Sequence, residues 1–172
     1  MERLLMQAQK VAYRFSLLVC GHQEDAEDVM QDSLLQTYRN VGRIADPDAF
    51  RTWLYTTVRN ACLMKRRLRA GEPRHHVSLA HEEGAKEEHA PVDVADTSRS
   101  ADEQLIDAWM GQRLRRALQA LPSSYRAIVV MRELDGLSTR EVATVMGISE
   151  ANVKTRLHRA RGMLRRQLED GA

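Results

Sequence analysis

The run TREVATVMGISEANVKTRLH, Thr139–His158, constrains this chain more than any other segment. Two helices that cross closely need a small residue at the crossing, a glycine in the turn, and apolar residues on the inner face of the second helix. Ala143, Gly147, Ile148 and Val153 stand at those places. Gly147 supplies the left-handed backbone that the turn requires. Ser138 followed by Glu141 has the spacing of a capping box, and Ser149 is placed to cap the second helix. That second helix is expected from about Glu150 to Leu168, with Val153, Leu157, Ala160 and Leu164 inward. Ser149 leads into its opposite face, which carries Ala151, Asn152, Thr155, His158 and Arg159, flanked by Lys154 and Arg156. Such a helix fits a DNA major groove, where Asn reads adenine and Arg reads guanine through paired hydrogen bonds. Lys154, Arg161, Arg165 and Arg166 suit phosphates. A basic, solvated amphipathic helix is the plainer reading; the aligned alanine, glycine and valine favour DNA.

The rest of the chain is also helical in pattern. A first helix spans about Glu2–Cys20, with Leu4, Leu5, Ala8, Val11, Ala12, Phe15, Leu18 and Val19 on one stripe. A second spans about Glu24–Val41 and opens on acids, which suit a helix N-terminus. A third opens at Asp46-Pro47, with Phe50, Trp53, Leu54, Thr57, Val58, Ala61, Met64 and Leu68 inward. Asp102–Ala120, with Leu105 and Trp109, reads as a fourth, and Ser123–Leu134, with Ile128, Met131 and Leu134 inside, as a fifth. No strand-like alternation occurs, so the fold class is all-α: two small helical domains, residues 1–71 and 101–172, joined by a flexible acidic linker, residues 72–100.

Charge follows the same division. The net charge of +2 separates into +3 over residues 1–70, −7 over 71–111 and +6 over 112–172. Two basic segments around an acidic one hint at nucleic acid, although two solvated domains and a connector would look alike. Cys20 and Cys62 are the only cysteines and are read as reduced thiols packed in helices, without metal-ligand spacing. His75, His76, His81 and His89 lie in the linker and are read as solvated, so no metal and no cofactor is expected. No signal peptide or membrane-length apolar run is seen, which points to the cytoplasm. No phosphate-binding loop or nucleophile–base set appears, so an enzyme is not expected.

Two runs narrow the class. DAEDVMQDSLLQTYRN (Asp25–Asn40) with DAFRTWLYTTVRNACLMKRR (Asp48–Arg67) resembles region 2 of extracytoplasmic-function sigma factors of the sigma-70 family. Leu114–Leu168 resembles their region 4. The resemblance implies a subunit that binds core RNA polymerase and directs promoter-specific transcription initiation. It places Asp25, Asp28, Gln31, Asp32, Leu35 and Gln36 against the polymerase beta-prime clamp helices, with the beta flap as a further contact. It places Arg51, Thr52, Tyr55, Thr56, Arg59 and Asn60, then Lys65, Arg66 and Arg67, at the −10 element, and the Ser149–Arg159 face at the −35 element. The loop Gly42–Asp48 reads GRIADPD and departs from the family's usual FRG-type loop, which leaves the identity of the flipped base open. An anti-sigma factor is implied as a partner, and the acidic linker as an RNA mimic in the exit channel. Neutralising Glu82, Glu83, Glu87 and Glu88 should then weaken holoenzyme assembly or alter abortive synthesis.

Two other classes compete. A stand-alone helix-turn-helix regulator would bind duplex without polymerase, and the basic third helix argues against it. A sigma-like protein-interaction module would need no DNA-facing cations, and the basic recognition helix argues against that.

Overall fold

The computed structural model describes residues 2–43, 46–69 and 111–170, and every regular element among them is helical. The order is α1 (Glu2–Cys20), α2 (Gln23–Asn40), a 3-10 turn (Val41–Arg43) and α3 (Pro47–Arg69). Then come α4 (residues 111–119), α5 (Ser123–Val129) running into a π turn (Val130–Leu134), α6 (Thr139–Met146) and α7 (Glu150–Asp170). The expected linker, its four histidines and its acids, Leu105, Trp109 and Ile44–Ala45 of the GRIADPD loop lie outside the described residues.

Helices α1, α2 and α3 form the first bundle. The apolar stripe of α1 buries Ala8, Ala12, Phe15, Leu18 and Val19, as its spacing dictates. Phe15 meets Tyr55 of α3 edge-on, with ring centroids 5.3 Å apart. Helix α2 opens on Glu24 and Asp25 and turns Ala26, Val29, Ser33 and Thr37 inward. The Thr37 hydroxyl donates to the Ser33 carbonyl at 2.7 Å, which satisfies it inside the bundle. Asp46 caps α3 by accepting the Asp48 N–H at 3.1 Å, with Pro47 in the first helical position.

The second bundle gathers Leu118, Leu121, Ile128, Met131, Leu137, Val142, Met146 and Val153 in one core. Its fourth helix is described over residues 111–119, helical as expected; the part expected from Asp102 to residue 110 lies outside the described residues. The fifth expected helix is α5 plus the π turn, in which the Asp135 N–H bonds to the Val130 carbonyl at 3.0 Å. This widened turn carries Asp135 out toward the first bundle.

The two bundles pack against each other, α1 on α5 and α3 on α6. This explains where the expected stripes fail. Helix α1 also buries Tyr13, Ser16, Leu17 and Cys20, because α5 covers the side that a lone bundle would leave wet. Helix α3 is sandwiched too, so Tyr55 and Arg59 are buried. Met64 and Leu68, expected inside, are 50% and 44% exposed. Trp53, read as core, is only partly buried and stacks on Phe50 at 6.0 Å. The same alignment of α1 beside α3 corrects the reading of the cysteines as separate reduced thiols. Cys20 and Cys62 are joined in a disulfide, with Cα atoms 5.4 Å apart.

Candidate nucleic-acid interface

The helix-turn-helix is built as its residues require. The Ser138 N–H donates to the Glu141 carboxylate at 2.6 Å and the Glu141 N–H to the Ser138 hydroxyl at 3.1 Å, a complete capping box. Burial alone would raise the Glu141 carboxyl. The bonds from the Ser138 backbone and hydroxyl, then Arg51 and Arg132, outweigh burial and hold it below the usual glutamate range. Gly147 closes α6 at φ 66° and ψ 31°. The Asn152 N–H donates to the Ser149 hydroxyl at 3.2 Å, which caps α7. Val153, Leu157 and Ala160 are buried, so α7 is held by its inner stripe.

That anchoring leaves the expected −35 face open. Ser149, Ala151, Asn152, Lys154, Thr155, His158 and Arg159 are exposed, and Arg156 is half-buried. Their polar groups converge on one side of the first turns of α7, with cations on the flanks. The Thr155 hydroxyl donates back to the Ala151 carbonyl at 3.0 Å. Of the expected phosphate contacts, Lys154, Arg165 and Arg166 are exposed, whereas Arg161 is tied to Glu133.

The expected −10 face is differently placed. Asn60 is exposed, and Thr52 and Thr56 are half-buried, with the Thr56 hydroxyl turned back onto the Thr52 carbonyl. Tyr55 and Arg59, expected at the solvent surface, are 2% and 8% exposed, because the second bundle lies over them. Asp135 organises the contact. Its side chain, 1% exposed, pairs with Arg14 of α1 and accepts the Tyr55 hydroxyl at 2.7 Å. Arg51 donates to the Asp135 backbone carbonyl and lies 3.9 Å from the Glu141 carboxylate. Burial raises the Asp135 carboxyl despite Arg14, Tyr55 and Arg51, and burial with Asp135 beside it pushes the Tyr55 hydroxyl far up. Lower on α3, Arg66 donates to the Ser123 hydroxyl. Arg126 reaches back from α5 to the Val19 and Leu18 carbonyls at 3.2 and 3.4 Å, capping the negative end of α1. Lys65 is bound to Asp28 at 2.7 Å, and that bond raises its ammonium. Arg67 is half-buried.

Most of the α2 residues expected to meet the polymerase are at the surface. Asp28, Gln31, Asp32, Leu35 and Gln36 are exposed, but Asp25 is 8% exposed and turned inward, which removes it from the surface. Tyr38, three residues after Leu35, is 69% exposed beside Leu35 at 56%. The sequence reading missed it, although the aromatic at that spacing was a visible signal. It also missed Asp135, Arg14 and Arg126, whose roles depend on contacts between bundles that no local pattern encodes.

Comparison with known proteins agrees with this architecture. A family model described as Sigma-70 region 2 matches residues 1–71, and one described as Sigma-70, region 4 matches residues 111–164. The ECF RNA polymerase sigma factor SigM of Mycobacterium tuberculosis is 32% identical over 167 residues, covering 97% of this chain and 76% of SigM. SigE of Mycolicibacterium smegmatis is 32% identical over 166 residues, and the chain spans 60% of its length. SigW of Bacillus subtilis is 29% identical over 160 residues, 92% of this chain and 83% of SigW. Among solved structures, the sigma factor RpoE in complex with the anti-sigma factor NepR from Bartonella quintana superposes with a TM-score of 0.68 at 20% identity, over 98% of this chain and 96% of RpoE. CnrH, in complex with the cytosolic domain of CnrY, gives 0.61 at 23% identity, over 100% of this chain and 92% of CnrH. These two likenesses speak to the fold. The chain belongs to the sigma-70 family, as a sigma factor of the extracytoplasmic-function group. Directing RNA polymerase to promoters is the function that this membership carries.

Proposed function

We propose that the chain binds core RNA polymerase in the cytoplasm, reads the −35 element with α7 and reads and holds open the −10 element with α3. Residues 1–71 would form the polymerase and −10 unit, 72–100 the acidic connector and 101–172 the −35 unit. One observation carries this reading: the first turns of α7 expose Asn152, Thr155, His158 and Arg159 together, on a helix whose other side is fully anchored. Asparagine and arginine at the start of a buried-backed helix match direct reading in a major groove. Region 2 supplies the complement. Leu35 and Tyr38 form an apolar ridge among Asp28, Gln31, Asp32 and Gln36, suited to a basic, partly apolar clamp helix. The beta flap of the polymerase and an anti-sigma factor are further proposed partners, the latter on the ground that the similarly folded RpoE is named in complex with the anti-sigma factor NepR.

The arrangement of the two bundles adds a condition. Tyr55, Arg51 and Arg59 contact DNA only after region 4 leaves them, so loading onto polymerase must separate the bundles. No catalytic step is assigned to the chain; bond formation belongs to the polymerase. The experiment compares variants in holoenzyme on promoter DNA. Arg59→Ala or Asn60→Ala should reduce permanganate reactivity of −10 thymines more than it reduces duplex binding. Asn152→Ala should reduce duplex binding itself. The reverse pattern would overturn the division of labour.

A further inference from the structure

The disulfide stands where the two bundles meet. Cys20 is the last residue of α1, directly after Leu18 and Val19, whose carbonyls take Arg126 of region 4. Cys62 sits on α3 and lines a small cavity of about 10 Å³ together with Val19, Arg59, Arg66, Ser123 and Ala127. That space holds roughly one water-sized molecule. Its walls come from both bundles, and two guanidinium-bearing residues line it beside Cys62. Cations next to a thiol favour the thiolate, the reactive form. The Cα separation of 5.4 Å lies within the range that a disulfide spans without backbone movement. Cys20 and Cys62 are 7% and 1% exposed, so the pair is set into the seam, and the small cavity beside Cys62 is the opening through which a water-sized reagent meets it.

We propose that Cys20 and Cys62 form a reversible redox bond whose oxidised state holds region 4 closed over the −10-reading face of region 2. In the forward step, the Cys62 thiolate attacks one oxygen of hydrogen peroxide. The O–O bond breaks, a sulfenic acid forms, and the leaving hydroxide takes up a proton to become water. The Cys20 thiol then attacks the sulfenic sulfur, the S–S bond forms, and a second water leaves with the Cys20 proton. Two thiols are oxidised and one peroxide is reduced to two waters. Exchange with a small dithiol reverses the bond and returns both thiols. The bond pins the end of α1 to α3 and so fixes the Val19 and Leu18 carbonyls in the position that Arg126 caps. Reduction frees that turn, weakens the Arg126 seat and lets region 4 lift from Tyr55 and Arg51.

This inference rests on the proposal that the α3 face must be uncovered for initiation, and the test separates the two. The intact chain is treated with hydrogen peroxide or with dithiothreitol, and the thiols are counted by maleimide gel shift. Amide hydrogen exchange of α5 and the end of α1 is then followed on the chain alone. The oxidised chain should show both thiols blocked and roughly tenfold slower exchange at the seam than the reduced chain. Cys20→Ala and Cys62→Ala should each exchange at the reduced rate under both treatments. Reduced wild type, which keeps both side chains, serves as the comparison if a variant folds poorly. Failure of peroxide to block the thiols, or equal seam exchange in the two forms, would overturn the proposal. If the oxidised chain is more protected yet initiates as well as the reduced chain, the redox coupling stands and the requirement for uncovering α3 is refuted.

Discussion

Replacing Asp135 by alanine should release region 4 from region 2, and the size of the effect follows from the contacts removed. The truncation leaves the Tyr55 hydroxyl, on a residue 2% exposed, without its acceptor. An unsatisfied buried hydroxyl costs about 1–3 kcal/mol. The Arg14 pair, with Arg14 27% exposed, adds about 1 kcal/mol or less. Against these stands the burden of a buried charge. Burial raises the Asp135 carboxyl even with Arg14 beside it, so removing the carboxylate recovers part of the loss. The net weakening of the closed arrangement is about 1–3 kcal/mol, a 5- to 150-fold shift toward the open form. Asp135→Asn behaves differently. It keeps an acceptor for Tyr55 and removes the buried charge, so it should stay closed to within about 1 kcal/mol. Small-angle scattering and seam amide exchange on the free chain report the shift, and binding of a single-stranded −10 oligonucleotide without polymerase should rise in parallel. The reasoning fails if Asp135→Ala matches wild type, or if Asp135→Asn opens more than alanine does.

Further outcomes test separate parts of the account. Asn152→Ala or Arg159→Ala should weaken −35 duplex binding by about 1–3 kcal/mol in filter or anisotropy titrations while leaving the melting temperature unchanged. The Glu141 carboxyl is held low in the folded protein, so its contribution is fully present above the ordinary value of 4.5 and is lost as pH falls through the lowered one. Thermal melts should therefore show an acid-sensitive component below that value that Glu141→Gln lacks. Reducing the Cys20–Cys62 bond, which spans 42 residues, should lower unfolding stability by about 4 kcal/mol in urea titrations. Tyr38→Ala on the exposed ridge should change stability by less than about 0.5 kcal/mol yet weaken polymerase association measurably.

What was legible in the sequence is what depends on neighbours along the chain. The capping box of Ser138 and Glu141, the Gly147 turn, the Ser149 cap and the inner stripe of α7 are set by residues within a few positions of each other, and all are present. The exposed α7 face follows from that stripe. The failures are also physical. Helical periodicity carries the inward stripe of α3 on to Met64 and Leu68, but both are exposed in the last turns of that helix. Tyr55 and Arg59 are expected on a solvent face of α3, but Tyr55 packs edge-on against Phe15 of α1 and a second bundle covers the rest of that side. Asp25 shares its helix turn with Asp28, yet only Asp28 faces out, and an acidic first turn reads the same either way. The Cys20–Cys62 bond depends on the register of α1 beside α3, which spacing alone does not specify.

The central claim is that this chain directs polymerase to promoters through two DNA-reading faces. Run-off transcription with core polymerase on DNA upstream of its own gene tests that claim most directly. The account predicts a discrete transcript that requires the chain, fades with Asn152→Ala and rises in yield with Asp135→Ala at limiting protein. No transcript at any start site, together with no association with core polymerase, would contradict it.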